Sequence, residues 1–253
     1  MCGTSGECER RSLTDLTKVV HSTAGGQSDS DSLNVSTNYR RPAVALMWDN
    51  KLFLIAVTYG ENVHSTTIHG RPNTYKYNAI TLREASFGFD FSSEFRKIQM
   101  NIKKGNLNDY VIYYQDVFQY DPFAYLLTNQ KKYVGNDTYV SKIVQLCNYD
   151  PTLRTYVDME LTCEKDGVTY NLVQTSTVGK INGADHLMAS FTRGSDPEKV
   201  MGESVICKIS LDSLNAQLTD TAIQYINTYP FNQTDRYLET IPDSIFGSDV
   251  SIM

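Results

Sequence analysis

The sequence predicts an all-β protein, and three observations carry that prediction. From Tyr139 to Val178 apolar and polar residues alternate with the period of two that a pleated strand requires, in successive runs separated by turn residues. Between two of those runs stands Lys165-Asp166-Gly167, and Asp-Gly between alternating segments marks a hairpin because both residues tolerate positive φ. Seventeen tyrosines and ten phenylalanines against one tryptophan, in a chain that is 41% apolar, suit many short strands.

Taken along the chain, Ser22 to Asn38 is polar, low in complexity and has nothing to bury, so residues 22–38 are expected to be a long surface loop. Val44 to Trp48 and Lys51 to Tyr59 read as a hairpin around Asp49-Asn50, the second strand being apolar enough for the inner side of a sheet. Glu61 to Arg71 reads as loop. Tyr110 to Tyr114 and Ala124 to Leu127 are expected to be a strand pair joined by an aromatic, Pro-containing connection. Val140, Lys142, Val144 and Leu146 then alternate with Ser141, Ile143, Gln145 and Cys147, with enough β-branched residues to favour a strand. Asn148 to Pro151 turns the chain. Tyr156, Asp158, Glu160 and Thr162 oppose Val157, Met159, Leu161 and Cys163, which predicts a strand with one wet and one buried face. A third strand is expected from Val168 to Val178. Leu211, Leu214, Leu218 and Ala222 recur at helical spacing behind Ser210, a residue that caps well, so a short amphipathic helix follows.

Composition narrows the function. The 253 residues carry a net charge of −6 and show no basic stripe beyond pairs such as Arg40-Arg41 and Lys103-Lys104, which argues against a nucleic-acid partner. The longest apolar candidate, Ala43 to Val57, is interrupted by Trp48-Asp49-Asn50-Lys51, so no membrane span is expected within the chain. Met1-Cys2-Gly3 opens without the basic and apolar regions of a leader peptide. Three Asn-x-Ser/Thr sequons, at Asn34, Asn136 and Asn232, agree with export, although a chain this rich in Asn, Ser and Thr carries about two by chance.

Catalytic and metal-binding patterns are weak. His64 and His69 fit neither an i, i+4 helical pair nor an alternate-residue strand pair, and His21 and His186 lie far off in sequence, so exposed loop histidines are the better account and no metal or cofactor is expected. Asp29 and Asp31 open like a calcium loop, but the sixth-position glycine is missing and the twelfth position is Arg40. Asp158 and Glu160 share a strand face, whereas glycoside hydrolysis needs two carboxyl groups flanking the scissile bond; a solvated face accounts for them more simply than an enzyme acting on glycans. Gly179-Lys180 lacks the rest of a phosphate loop.

Six stretches resemble one family. YVSKIVQLC (Tyr139–Cys147), the YV.MEL.C pattern ending at Cys163, and GVTYNLVQTSTV ending at Val178 are similar, in that order, to the extracellular sema domain of the plexins. The opening MCGTSGECERRSLTDL, the aromatic stretch FQYDPFAYLLTNQ (Phe118–Gln130) and GESVICKISLDSLNAQL (Gly202–Leu218) match the same family at consistent spacing, with the CERR and EL.C words closest to its B branch. The resemblance implies a seven-bladed β-propeller of the sema type, of which residues 1–253 supply roughly the middle blades as part of one domain, with no second domain. It implies semaphorin binding at the extracellular face of the plasma membrane, possible homodimerisation of the receptor, membrane attachment only through segments outside this chain, and no catalysis. A secreted decoy or adhesion module is the alternative role. By the same resemblance Cys2 would pair with Cys8 and Cys163 with Cys207, in an oxidising compartment. The usual partner of Cys147 has no counterpart between Tyr229 and Phe246; either Cys147 is a buried free thiol or the C-terminal end of the sequence has diverged or been mis-spliced.

Overall fold

Three antiparallel sheets are stacked so that the middle one is covered on both faces. In the computed structural model the described residues are 110–150, 152–200 and 202–228, with shorter stretches at 9–11, 14–15, 19–22, 43–48, 52–58, 67–68, 71–72, 78–84, 99–102 and 238–240. Two separate strand pairs come early: β1 (Glu9–Arg11) with β2 (Val19–Ser22), and β5 (Thr67–Ile68) with β6 (Arg71–Pro72). The first large sheet joins β3 (Ala43–Met47), β4 (Leu52–Val57), β7 (Asn78–Glu84) and β8 (Gln99–Ile102), and β18 (Leu238–Thr240) adds to its β8 edge. The second is a meander of β9 (Ile112–Tyr120), β10 (Phe123–Lys131), β11 (Tyr139–Cys147) and β12 (Val157–Leu161). A small hairpin of β13 (Cys163–Lys165) and β14 (Val168–Tyr170) leads to the third sheet, β15 (Leu172–Ile181), β16 (Ala184–Thr192) and β17 (Ser204–Ser210), and then to helix α1 (Leu211–Thr228).

The pleat of β10 explains the stack. Ala124 and Leu126 point to one side, where they join Leu54, Ile80, Leu82 and Met100 of the first sheet with Val144 and Leu146 of β11. Tyr125 and Leu127 point to the other, into a core with Ile143, Val173, Leu187, Ala189, Phe191 and the helix residues Leu211, Leu214 and Leu218. Each helix leucine fully buried in this way contributes about 1.5–3 kcal/mol.

Several expectations change in detail. The third predicted strand is divided: Asn171 separates β14 from β15, and the second run ends as a sheet strand at Leu161 because Cys163 leaves the β11 register to open the hairpin. Asp166 and Gly167 take φ of 53° and 75° at that hairpin's tip. The stretch expected to connect Tyr110–Tyr114 with Ala124–Leu127 is itself strand on both sides of Asp121-Pro122, a two-residue turn with a cis peptide bond, so the proline falls where no ladder donor is needed. Glu61–Arg71 contains β5 and the start of β6 and is not wholly loop. The helix is longer than the leucine repeat, at 18 residues, and Ser213 N donates to Ser210 Oγ at 3.4 Å at its start. Of the expected 22–38 loop, Ser22 ends β2 and the remainder lies outside the described residues.

Candidate functional site

What the geometry offers is a rigid scaffold whose sheets are clamped by polar joints and one disulfide. Cys163 and Cys207 are bonded, with Cα atoms 6.0 Å apart, tying the β13 hairpin to β17 across 44 residues of chain. Cys163 is buried among Tyr170, Val205 and Leu161. Cys147 is a half-buried free thiol whose backbone N–H donates to Thr155 Oγ1 at 3.0 Å. Cys2, Cys8, Asn34 and Asn232 lie outside the described residues, as do His64, His69, Asp29, Asp31 and Arg40.

The tightest joint links the second and third sheets. Asn129, fully buried on β10, uses its side-chain amide as a strand partner for β15: Nδ2 donates to Val173 O at 2.8 Å and Oδ1 accepts from Val173 N at 3.0 Å. Ser141 Oγ also accepts from Val173 N, at 2.7 Å, and lies 2.9 Å from Asn171 O. Asn171 Nδ2 donates to the carbonyls of Tyr139 and Gly194, both at 2.9 Å. Nearer the middle of the strands Asp116 reaches across, its Oδ2 accepting from Ser176 N at 2.7 Å and Ser176 Oγ at 2.9 Å. Both strands bulge here, Gln115 in β9 and Gln174 in β15 being the extra residues. The bulges turn polar groups that a regular ladder would occupy toward the neighbouring sheet.

The helix is held by a second polar cluster. Gln145 Nε2 donates to Tyr125 Oη at 2.9 Å and to Asn215 Oδ1 at 3.2 Å, while Tyr125 Oη donates to Asn215 Oδ1. Burial holds the Tyr125 phenol above its ordinary pKa, and burial does the same more strongly at Tyr110 and Tyr114. Tyr110 Oη donates to Lys131 O at 2.7 Å.

Asp158 and Glu160 are both engaged with lysines. Asp158 Oδ2 lies 3.1 Å from Lys142 Nζ in a largely buried pair, and Glu160 Oε2 lies 3.1 Å from Lys132 Nζ at the surface. His186 Nδ1 is 2.9 Å from Ala184 O, beside the pair of Lys180 with Asp185; the bond to Lys180 keeps the Asp185 carboxyl below its ordinary value. Among the described residues no three His, Cys, Asp or Glu side chains converge as a metal set, and no helix is long and apolar enough to cross a membrane.

The fold and its bridge define a disulfide-linked module of stacked antiparallel sheets. Over most of its length the chain is similar to the extracellular part of the plexins. Plexin-A4 of Mus musculus is 27% identical over 250 residues, covering 87% of this chain, and Plexin-A2 of Homo sapiens is 24% identical over 242 residues. Plexin A3 of Danio rerio is 26% identical over 196 residues. The chain spans 13% of the length of the mouse relative. Solved structures of the Plexin A4 full extracellular region share the fold, with a TM-score of 0.65 and 24% identity over 84% of this chain, which covers 25% and 20% of those two chains. No family model matches. These relatives are of the A class, where the CERR and EL.C words pointed to the B branch; the difference lies within one family.

The inter-sheet joints escaped the sequence reading. Asn129 and Asp116 carry no local signal, because a polar residue on a strand ordinarily faces water, and nothing local marks the partners of Asn171 in the gap between β14 and β15.

Proposed function

We propose that this chain is the ligand-binding part of a semaphorin receptor ectodomain at the cell surface. The observation that carries the reading is the plexin similarity across 87% of the chain, on a fold held by the Cys163–Cys207 bridge. The second and third sheets are consecutive meanders, and the first is a run of β3, β4, β7 and β8 extended by β18; packed through two cores they resemble neighbouring blades of a propeller and support a sema-type seven-bladed ring of which residues 1–253 form part of one domain. Partner contacts then fall on the loops at the strand ends, which the joints hold rigidly in place. Pairing of Cys2 with Cys8 and self-association of the receptor belong to the same reading, and the role is binding without catalysis.

The test is display of the chain on animal cells and staining with tagged semaphorin ectodomains. Saturable staining by at least one semaphorin, lost when Cys163 and Cys207 are both replaced by alanine, is expected. Absence of staining across the panel, with the chain displayed and its bridge formed, contradicts the proposal.

A further inference from the structure

We propose that Asn136 carries an N-linked glycan whose first sugar packs on the ring of Tyr133, a pairing built into the loop between β10 and β11. The proposal rests on the extracellular reading, because the oligosaccharide donor is met only in the secretory pathway.

The loop reads Tyr133-Val134-Gly135-Asn136-Asp137-Thr138. Lys132 N donates to Thr138 O at 2.9 Å and closes it, and inside that bracket Asn136 N donates to Tyr133 O at 3.1 Å, making a four-residue turn. Gly135, at the third position of that turn, has φ of 82°, as a type II turn requires there. Tyr133 therefore opens the turn and Asn136, half-buried, closes it, which brings the two residues to within about 7 Å at Cα. Thr138 N donates to Asn136 Oδ1 at 2.7 Å, which engages the amide oxygen and not Nδ2, the atom that reacts. Lys131 Nζ, 3.1 Å from Asp137 Oδ1, anchors the returning arm of the loop.

Exposure supplies the second half of the inference. Tyr133 is 59% exposed and Val134 41%, which makes the tip of this hairpin an apolar projection in a loop otherwise polar. A pyranose presents a face of C–H groups with slight positive charge, and the face of a tyrosine ring is negative, so the first sugar covers the ring and is attracted by it. Thr138, exposed on the other side of the loop, completes the Asn-x-Thr acceptor.

In the transfer Asn136 Nδ2 attacks the anomeric carbon of a lipid-pyrophosphate-linked oligosaccharide. The new N–C bond forms as the C–O bond to pyrophosphate breaks, Nδ2 gives up one proton, and the lipid pyrophosphate leaves with the electron pair. No oxidant or reductant takes part.

The experiment uses the whole chain, fused behind an export signal in animal cells, with Tyr133→Ala and Asn136→Gln variants. Glycopeptide mass spectrometry reads occupancy of each sequon in secreted and cell-retained pools, and enzymatic deglycosylation of folded protein reads what the glycan contributes to the melting temperature. We expect Asn136 to be occupied in most wild-type molecules and unmodified in Asn136→Gln, with occupancy in Tyr133→Ala down about twofold or more, the low end of an aromatic contact's worth. Deglycosylation should lower the wild-type melting temperature by about 2–4 °C, as loss of about 1 kcal/mol does in a chain of this size, and that of Tyr133→Ala by less than half as much. If Tyr133→Ala is not secreted, occupancy in the retained pool still decides, because glycan transfer takes place before the chain is sorted for export. An unmodified Asn136 in chains whose Cys163 and Cys207 are joined overturns the proposal, and so does equal occupancy with an equal melting shift in both proteins. Reduced cysteines together with no sugar on Asn34, Asn136 or Asn232 overturn the extracellular reading itself and this proposal with it.

Discussion

Breaking the bridge between Cys163 and Cys207 should shift the unfolding equilibrium by an amount the chain length sets. The two residues are 44 apart in sequence, and closing a loop of that size removes enough denatured-state entropy to be worth about 4 kcal/mol at 25 °C in the chain-entropy model. The native structure adds to this figure, since Cys163 is buried and the bridge holds the β13 hairpin against β17, an edge strand whose only ladder partner among the described residues is β16. Against it stand the antiparallel pairs β15–β16 and β16–β17, which close part of the same loop in any residual denatured-state structure. The double variant Cys163→Ala/Cys207→Ala, compared with wild type by urea unfolding followed through tyrosine fluorescence, should lose about 3–4 kcal/mol. With a slope of about 3 kcal/mol/M the midpoint falls by about 1 M. Two coincident unfolding curves, with the bridge verified in the wild type by mass spectrometry, would refute the argument that this crosslink constrains the unfolded chain.

Three further outcomes follow from single side chains. Asn129→Ala removes one of the two acceptors of Val173 N–H, which keeps Ser141 Oγ, and the 2.8 Å donor to Val173 C=O, and should cost about 1–3 kcal/mol in urea unfolding, while exposed Gln119→Ala on the neighbouring strand stays within about 0.5 kcal/mol. Leu214→Ala, which empties a fully buried position between α1 and the second core, should cost about 2–5 kcal/mol, against less than about 0.5 kcal/mol for exposed Ala216→Ser. Acid should weaken the β11–β12 loop through Asp150: burial alone would raise this carboxyl, but bonds from Thr152 and Thr155 outweigh it and hold its pKa below the ordinary 3.8. A depressed folded pKa means that the stabilisation is present above the unfolded value and is lost as pH falls below about 4 through the folded one. The melting-temperature gap between wild type and Asp150→Ala should accordingly be wide at neutral pH and close as the pH drops below that of an ordinary carboxylate; a gap that stays constant contradicts the assignment.

How much of this was legible in the sequence depends on which interaction governs each element. Alternation in Tyr139–Cys147 and the Asp166-Gly167 turn are local properties, and both appear in the structure where the pattern put them. Which faces are covered is not local. In β11 Ser141 is buried as deeply as Ile143 and Gln145 is buried too, because the second sheet lies between two others and its polar side chains meet the backbone and side chains of β15 and α1. The strand character of Gln115 to Tyr120 was hidden by a nearby proline that occupies the turn and leaves the ladder intact. Cysteine pairing came from resemblance, since neither Cys163 nor Cys207 has a spacing that selects the other.

In the proposed receptor role the scaffold itself is the functional element: sheets clamped to each other by Asn129, Ser141, Asn171 and Asp116 would leave less ordering for a protein partner to impose on binding.

The most direct test is a titration of the purified, oxidised chain against immobilised semaphorin ectodomains, with the reduced and alkylated chain in parallel. The account predicts saturable binding to at least one semaphorin by the oxidised chain and little or none by the reduced one. Flat responses from a folded, disulfide-bonded chain across the whole panel would contradict it.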